Sequence, residues 1–199
     1  MAEVNIAVEG MLDESVAMRL IQYVGGEPGR VFGGEGKQSL LQRLPKYNSA
    51  ANYSAWLVLI DLDQDAECVP AFRTKILPRP APKMCFRIAV PKVEAWLLAD
   101  REGFAQFLGI RCQDVPANPE AIFDPRQKVI ELARKSKRKD IREDIIPRPG
   151  TNTRIGPAYA SRLGEFVDTL WVPSRTPQRA PSLNRAVLCL ERLIGVKQS

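Results

Sequence analysis

Carboxylate side chains stand directly after two apolar runs in the first third of the chain. Glu9 follows the run of residues 4–8, and Asp61 and Asp63 follow the run of residues 55–60. Short apolar runs of this kind indicate buried strands of a parallel sheet. The carboxyl ends of such strands meet at one edge of the sheet, which is where open α/β folds bind their ligands. The sequence therefore predicts that these acids gather at one edge.

Carboxylates gathered in this way repel one another. Two of them about 5 Å apart, at an effective dielectric constant of about 20, cost roughly 3 kcal/mol. A divalent cation with oxygen ligands removes that cost. Alternation along Asp61-Leu62-Asp63 predicts that both aspartates point to one side of the strand end, opposite Glu9. We therefore expect a magnesium site. The alternative is that these acids are solvated strand ends or turn formers, and for Asp65 both interpretations stay open.

Composition narrows the chemistry. The chain of 199 residues is 45% apolar and 26% charged, which suits one globular domain with room for a small appended element. It contains no histidine, which excludes Ser-His-Asp and Cys-His catalysis and HExxH zinc sites. The formal charge of +6 favours an anionic partner. No apolar stretch has the length of a membrane span and no signal peptide is visible, so we expect a cytoplasmic protein without a membrane partner.

The order of apolar patterns predicts an α/β fold. Strands expected at residues 4–8, around 30–32, at 55–60 and at 84–90 alternate with helices, which is typical of a mainly parallel sheet. After residue 90 the pattern is helical, with helices expected at 126–137, 158–170 and 183–194. Asp13 is expected to cap the first helix. The four cysteines show no CxxC pairing and are interpreted as small buried residues.

Several motifs resemble a known family. Val8-Glu9-Gly10 and Asp61-Leu62-Asp63 resemble the Toprim domain of topoisomerases, primases and overcoming-lysogenization-defect nucleases. The stretch at residues 88–100, which contains VEAWLLAD, resembles more specifically an uncharacterised bacterial Toprim-like family of this length that is also found beside ATPases. Gly156-Pro157-Ala158-Tyr159 fits the same family. The resemblance implies a Toprim-like fold of roughly four strands, with the α/β core at residues 1–100 and a helical extension at 101–199.

The resemblance also implies residue roles. Glu9 would be a general acid/base or face the metal, and Asp61 and Asp63 would bind Mg²⁺ or Mn²⁺. Asp65 would be an outer ligand, and Glu94 a further carboxylate. Such a metal would polarise a phosphate and activate water for phosphodiester cleavage. For Glu94 the alternative is a first-turn glutamate that complements the helix dipole.

Basic residues provide candidates for nucleic-acid binding. Lys37 follows the glycine-rich loop of residues 33–36, which lacks the P-loop spacing and is interpreted first as a flexible turn. Arg73 and Arg87 are expected to flank the carboxylate edge and hold a phosphate. The densest basic cluster is either a solvated helix face or a surface that follows a nucleic-acid backbone, and its candidates are Arg134, Lys135, Lys137, Arg138 and Lys139.

The leading hypothesis is that the protein is a metal-dependent nuclease of a bacterial defence or DNA-maintenance system. The first alternative is a non-catalytic Toprim subunit that binds nucleic acid or a partner ATPase. The second is a hydrolase of small nucleotides. The sequence indicates no DNA or RNA preference, no metal count and no oligomeric state.

Overall fold

Four parallel strands form one sheet in the order β2-β1-β3-β4 in the computed structural model, which describes residues 2–66 and 68–195. The strands are β1 (Glu3–Val8), β2 (Glu27–Gly33), β3 (Ala55–Asp61) and β4 (Met84–Ala89). The crossovers are the helices α1 (Met11–Tyr23), α2 (Lys37–Ala50) and α3 (Val69–Ile76). Parallel neighbours require such crossovers, because a tight hairpin can only join antiparallel strands. The predicted α/β fold with a four-stranded parallel sheet is confirmed, and it is consistent with a Toprim-like architecture.

The part of the chain after β4 is helical, as expected. Its helices are α4 (Val93–Ala99), α5 (Arg101–Leu108), α6 (Pro125–Arg134), α7 (Lys139–Ile145), α8 (Tyr159–Thr169) and α9 (Pro181–Ile194). The single helix predicted over residues 126–137 is shorter than expected, because the Ser136 side chain bonds the Leu108 carbonyl and accepts the Arg138 N–H at 3.1 Å. A new helix, α7, then begins at Lys139. No described helix has both the length and the apolar character needed to cross a membrane.

Alternation along the strands divides the core between the two faces of the sheet. Val4, Ile6 and Val8 of β1 pack on one face with α1, α4 and the helices that follow. Ala7 packs on the other face with side chains of α2. Large apolar residues from the C-terminal helices, such as Trp171, belong to the same cluster as the first face. The helical part therefore closes one side of the sheet and covers the strand ends on that side.

The strand register brings the two acidic strand ends together. In the pairing of β1 with β3, Ala7 lies beside Val58, so the chain leaves β1 at Glu9 close to the end of β3 at Asp61. In the pairing of β3 with β4, Asp61 lies beside Ala89. Two features differ from the sequence predictions. Gly10, not Asp13, is the N-cap of α1, and Cys68 and Cys112 are exposed whereas Cys85 is buried.

Candidate active site at the carboxyl edge of the sheet

Glu9 and Asp61 are fixed against each other by backbone hydrogen bonds. The Asp61 N–H donates to Glu9 Oε1 at 2.9 Å. The Val93 N–H, at the first residue of α4, donates to Asp61 Oδ1 at 2.9 Å. Asp61 is buried and Glu9 is half-buried. The end of β3 and the start of α4 therefore hold both carboxylates at the same place on the sheet edge.

Two further buried carboxylates, Asp13 and Glu94, belong to this edge. Asp13 lies in the first turn of α1 with 8% exposure, and Glu94 lies in the first turn of α4 with 0% exposure. Glu94 Oε1 accepts from Arg126 Nε at 2.9 Å and from the Tyr159 hydroxyl at 3.2 Å. Asp13 Oδ1 and Glu94 Oε2 are buried without a hydrogen-bond partner in the described part of the chain. Buried polar atoms are rarely left unpaired, so each indicates a missing ligand or proton.

The pKa values of these acids show that they interact electrostatically. Burial, together with the negative charges of Glu9 and Glu94, raises the pKa of Asp13 from 3.8 to about 7. Burial also raises the pKa of Asp61 well above 3.8, with added contributions from Asp13 and Glu94. The pKa of Glu9 is raised chiefly by burial, against the Asp61 N–H and two lysines that lower it. We call Glu9, Asp13, Asp61 and Glu94 the carboxylate cluster.

Asp63 and Asp65 are neutralised by lysines. Strand β3 ends at Asp61, and Asp63 follows with a left-handed backbone at φ 53°, so the predicted alternation does not extend to it. Lys37 Nζ lies 2.9 Å from Asp63 Oδ2 and 2.6 Å from Asp65 Oδ2, and Lys92 pairs with Asp63 Oδ1. Lys37 therefore faces the sheet edge as expected, and with Lys92 it places positive charge beside the carboxylate cluster.

The predicted metal ligands do not form a ready cation cage. Within residues 2–66 and 68–195, no group of three or more His, Cys, Asp or Glu side chains is arranged to hold a metal ion as it stands. The reason lies in the contacts above: Glu9 and Asp61 each use one oxygen on a backbone N–H, and Asp63 and Asp65 contact lysines. The chemistry of the carboxylate cluster nevertheless suits a hard cation, because every donor is a carboxylate oxygen and two of the oxygens lack a partner.

A cavity of about 560 Å³ lies next to the carboxylate cluster. Three basic residues line it together with three acids: Lys92, Arg126 and Arg154 with Asp63, Asp65 and Asp124. Phe123 forms an apolar wall with 77% exposure. Arg126 is shared between the cavity and Glu94, so it connects the buried acids with the open space. Pockets of this volume hold small ligands or one end of a larger one.

Two backbone amides of the glycine-rich loop form hydrogen bonds with backbone carbonyls at the end of β1. The Gly34 N–H donates to the Val8 carbonyl and the Gly36 N–H to the Glu9 carbonyl, both at 3.0 Å. At Gly33, with φ +101°, an added Cβ would lie 2.1 Å from the Val8 carbonyl oxygen. The glycines therefore permit close packing against the end of β1, and these two amides are not available to a phosphate.

Comparisons with models of protein families, with curated proteins and with solved structures find no match for this chain. The interpretation of the edge therefore depends on its residues and their geometry.

The other basic candidates lie away from the carboxylate cluster. Arg126 and Arg134 occupy opposite ends of α6, eight residues and thus about 12 Å apart along the axis. Three members of the basic cluster form surface ion pairs: Lys135 with Asp114, Arg138 with Asp140 and Lys139 with Glu143. Lys137 lines a shallow surface cavity with Lys135. Arg73 and Arg87 line a different cavity from the one beside the cluster.

Sequence reasoning missed Asp13, Arg126 and Tyr159 as parts of the site. A signal for Asp13 exists, because it stands four residues after Glu9 and so one helical turn into the element that follows the strand. Arg126 and Tyr159 are 32 and 65 residues from Glu94, and no local pattern connects them. Asp100 is the N-cap of α5, because its Oδ1 accepts the Gly103 N–H at 3.1 Å.

The raised pKa values make the stability of the metal-free protein depend on pH. Between pH 3.8, the ordinary pKa of Asp13, and about pH 7, the folded protein binds more protons than the unfolded chain. The contribution of Asp13 to the free energy of unfolding is therefore fully present below about pH 4 and is lost as the pH rises to about 7. A rise in pKa of this size in one carboxyl corresponds to about 4 kcal/mol. Urea denaturation in chelator at pH 5 and pH 8 measures the fall, and Asp13→Asn should reduce it. If the free energy of unfolding falls between pH 5 and pH 8 by the same amount in Asp13→Asn as in the wild type, the fall is not due to Asp13.

Proposed function

We propose that this protein is a metal-dependent phosphodiesterase of the nuclease type. The observation that carries the proposal is the carboxylate cluster, in which Asp13 Oδ1 and Glu94 Oε2 are buried without partners among the described residues. The cluster lies beside a cavity to which Lys92, Arg126 and Arg154 bring positive charge alongside three aspartates. Buried acids with raised pKa values in a cleft are typical of functional sites, because their burial costs stability that structure alone does not require. The neighbouring positive charges suit a substrate that carries phosphate.

In this proposal Glu9, Asp13, Asp61 and Glu94 hold Mg²⁺ or Mn²⁺. The bound cation would polarise a phosphate oxygen and lower the pKa of a water molecule. Lys92 and Arg126 bind the non-bridging oxygens of the phosphate, since both line the cavity and both contact an acid at the edge. Arg126 is held in place by Glu94, which fixes the fork of N–H donors that it presents to the cavity. Glu9, half-buried with a raised pKa, is suited to exchange a proton with the attacking water.

A hydrolase of small nucleotides is the second candidate. The cavity volume of about 560 Å³ is in the range of small-molecule sites, and Phe123 offers an exposed ring on which one base can stack. A non-catalytic subunit, a partner ATPase and a cytoplasmic role in defence or DNA maintenance remain predictions from the family resemblance.

Hydrolysis assays test the proposal directly. Plasmid DNA, RNA and bis(p-nitrophenyl) phosphate are incubated with the protein in Mg²⁺, in Mn²⁺ and in excess chelator. We expect cleavage only with a cation. Asp61→Ala should lower the rate by about 100-fold, because a metal ligand contributes several kcal/mol to charge stabilisation in the transition state. Glu9→Gln should lower it by a similar factor as a proton-transfer group.

Glu143→Gln is the matched control. This acid is exposed on α7 and pairs with the exposed Lys139 at 3.5 Å, and it is not a member of the carboxylate cluster. It should retain the wild-type rate. Cleavage that persists in chelator, or equal rates in all variants, would refute the assignment. Cleavage of the chromogenic ester and of nucleotides without cleavage of either nucleic acid would favour the small-molecule hydrolase.

A further inference from the structure

Three arginines from three elements converge on a second cavity. Arg73 of α3, Arg87 of β4 and Arg185 of α9 line a volume of about 620 Å³ at the outer edge of the sheet. We call this group the arginine pocket. It shares no lining residue with the cavity beside the carboxylate cluster. It is therefore a separate concave site.

The charged side chains in the described lining of the arginine pocket are all positive. Within residues 2–66 and 68–195, none of the three arginines forms an ion pair, and the described lining residues include no Asp or Glu. A neighbouring thiol responds to the same charge: a hydrogen bond with Cys85 and then the charges of Arg87 and Arg73 lower the pKa of Cys189 to about 7, although burial opposes this. Convergent like charges repel, and a bound anion relieves that repulsion.

Two of the arginines are held in place by the backbone. Arg73 Nε donates to the Phe86 carbonyl at 3.2 Å, and Arg87 Nη2 donates to the Arg185 carbonyl at 2.8 Å. A guanidinium has five N–H donors, so each of these side chains keeps most of its donors for a ligand. Because the anchors restrict the side chains before a ligand arrives, less conformational entropy is lost on binding.

We infer that the arginine pocket binds a terminal or condensed phosphate, that is, a phosphate monoester or a diphosphate. Guanidinium groups form paired hydrogen bonds with phosphate oxygens, and three of them match a compact group with more than one negative charge. The backbone of a nucleic acid spreads single charges along its length, which suits an open basic surface better than a cavity. Val69, Pro70 and Ile88 add an apolar wall for the body attached to the phosphate.

Calorimetric titration in chelator tests the inference without any activity readout. The probes are pyrophosphate, inorganic phosphate and adenosine monophosphate. We expect pyrophosphate to bind more tightly than inorganic phosphate. Arg73→Ala and Arg185→Ala should each weaken pyrophosphate binding at least tenfold. Arg185 is exposed, so this variant remains informative if Arg73→Ala fails to fold. Arg43→Ala, which removes an exposed arginine of α2 that pairs with Glu35 at 2.7 Å, is the matched control and should bind pyrophosphate as the wild type does.

A second pair of probes identifies the source of the phosphate. Tighter binding of a 5′-phosphorylated oligonucleotide than of its 5′-hydroxyl counterpart, lost in Arg185→Ala, assigns the pocket to strand ends. Binding of adenosine monophosphate with no difference between the oligonucleotides assigns it to free nucleotides. Absence of pyrophosphate binding, or equal weakening by Arg43→Ala, would overturn the inference. Because metal and cleavage play no part, failure here is distinct from failure of the proposed hydrolase.

Discussion

Replacement of Arg126 by alanine is expected to lower the free energy of unfolding by about 3 kcal/mol at pH 7. Arg126 Nε lies 2.9 Å from Glu94 Oε1, and Glu94 has 0% exposure. Without the guanidinium, a carboxylate stays buried with no opposite charge, and the nearby acids Asp13 and Asp61 add repulsion. The expected value is at the low end for a broken buried ion pair because Arg126 itself is half exposed. Urea denaturation followed by circular dichroism measures it.

Two variants make this measurement decisive. Lys139→Ala removes an ion pair whose partners are both exposed, and its effect should stay below about 1 kcal/mol. The double variant Glu94→Gln/Arg126→Ala removes the buried charge together with its partner, so it should be more stable than Arg126→Ala alone. An Arg126→Ala protein as stable as Lys139→Ala would contradict the view that the buried Glu94 depends on Arg126.

The change of Asp13 to asparagine is expected to weaken Mn²⁺ binding by about 100-fold, which corresponds to about 2.7 kcal/mol. This prediction rests on the proposed metal site. Asp13 belongs to the carboxylate cluster and has an unpartnered oxygen, whereas both oxygens of Asp63 contact lysines. Asp63→Asn should therefore weaken binding less than tenfold. Calorimetry or the electron paramagnetic resonance of free Mn²⁺ measures both constants.

Asp168→Asn, an exposed acid in α8, is the control and should bind Mn²⁺ as the wild type does. A larger loss in Asp63→Asn than in Asp13→Asn would favour the ligand set of Glu9, Asp61 and Asp63 that alternation along the strand predicts. In that case the lysines would have to release Asp63 when the cation binds. Equal binding by wild type, Asp13→Asn and Asp63→Asn would refute a metal site at this edge.

Apolar patterning predicts the buried strands well and the exposed elements poorly. Strands β1, β3 and β4 coincide with continuous apolar runs because both faces of a parallel sheet are covered. Strand β2 is an edge strand whose residues are half-buried or exposed, so only its centre is visible in the sequence. Helix α3 buries none of its residues fully, and its apolar stripe of Val69, Phe72 and Ile76 is only partly buried, so its signal in the sequence is weak. Elements whose residues are buried can therefore be predicted from apolar patterning, and elements that are largely exposed cannot.

The candidate site divides in the same way. Glu9 and Asp61 are predictable because each ends a strand, and parallel strands end together. The direction in which the Asp13 side chain points depends on where α1 begins. The N-cap of α1 is Gly10, which has no side chain that could mark the start of the helix in the sequence. Asp63 leaves the alternation of β3 because the strand ends two residues earlier. Arg126 and Tyr159 reach Glu94 through the packing of distant helices, which a single sequence does not reveal.

Trp96 joins helix α4, which carries Glu94, to the arginine pocket. It lies two residues after Glu94 in α4 and is fully buried, and its indole N–H donates to Ser182 Oγ at 2.6 Å. Ser182 in turn lines the arginine pocket. The indole is thus an internal fluorophore close to the residues of both proposed sites. With Trp56 and Trp171 changed to phenylalanine, its emission provides one optical signal against which occupancy of both sites can be followed in the same sample.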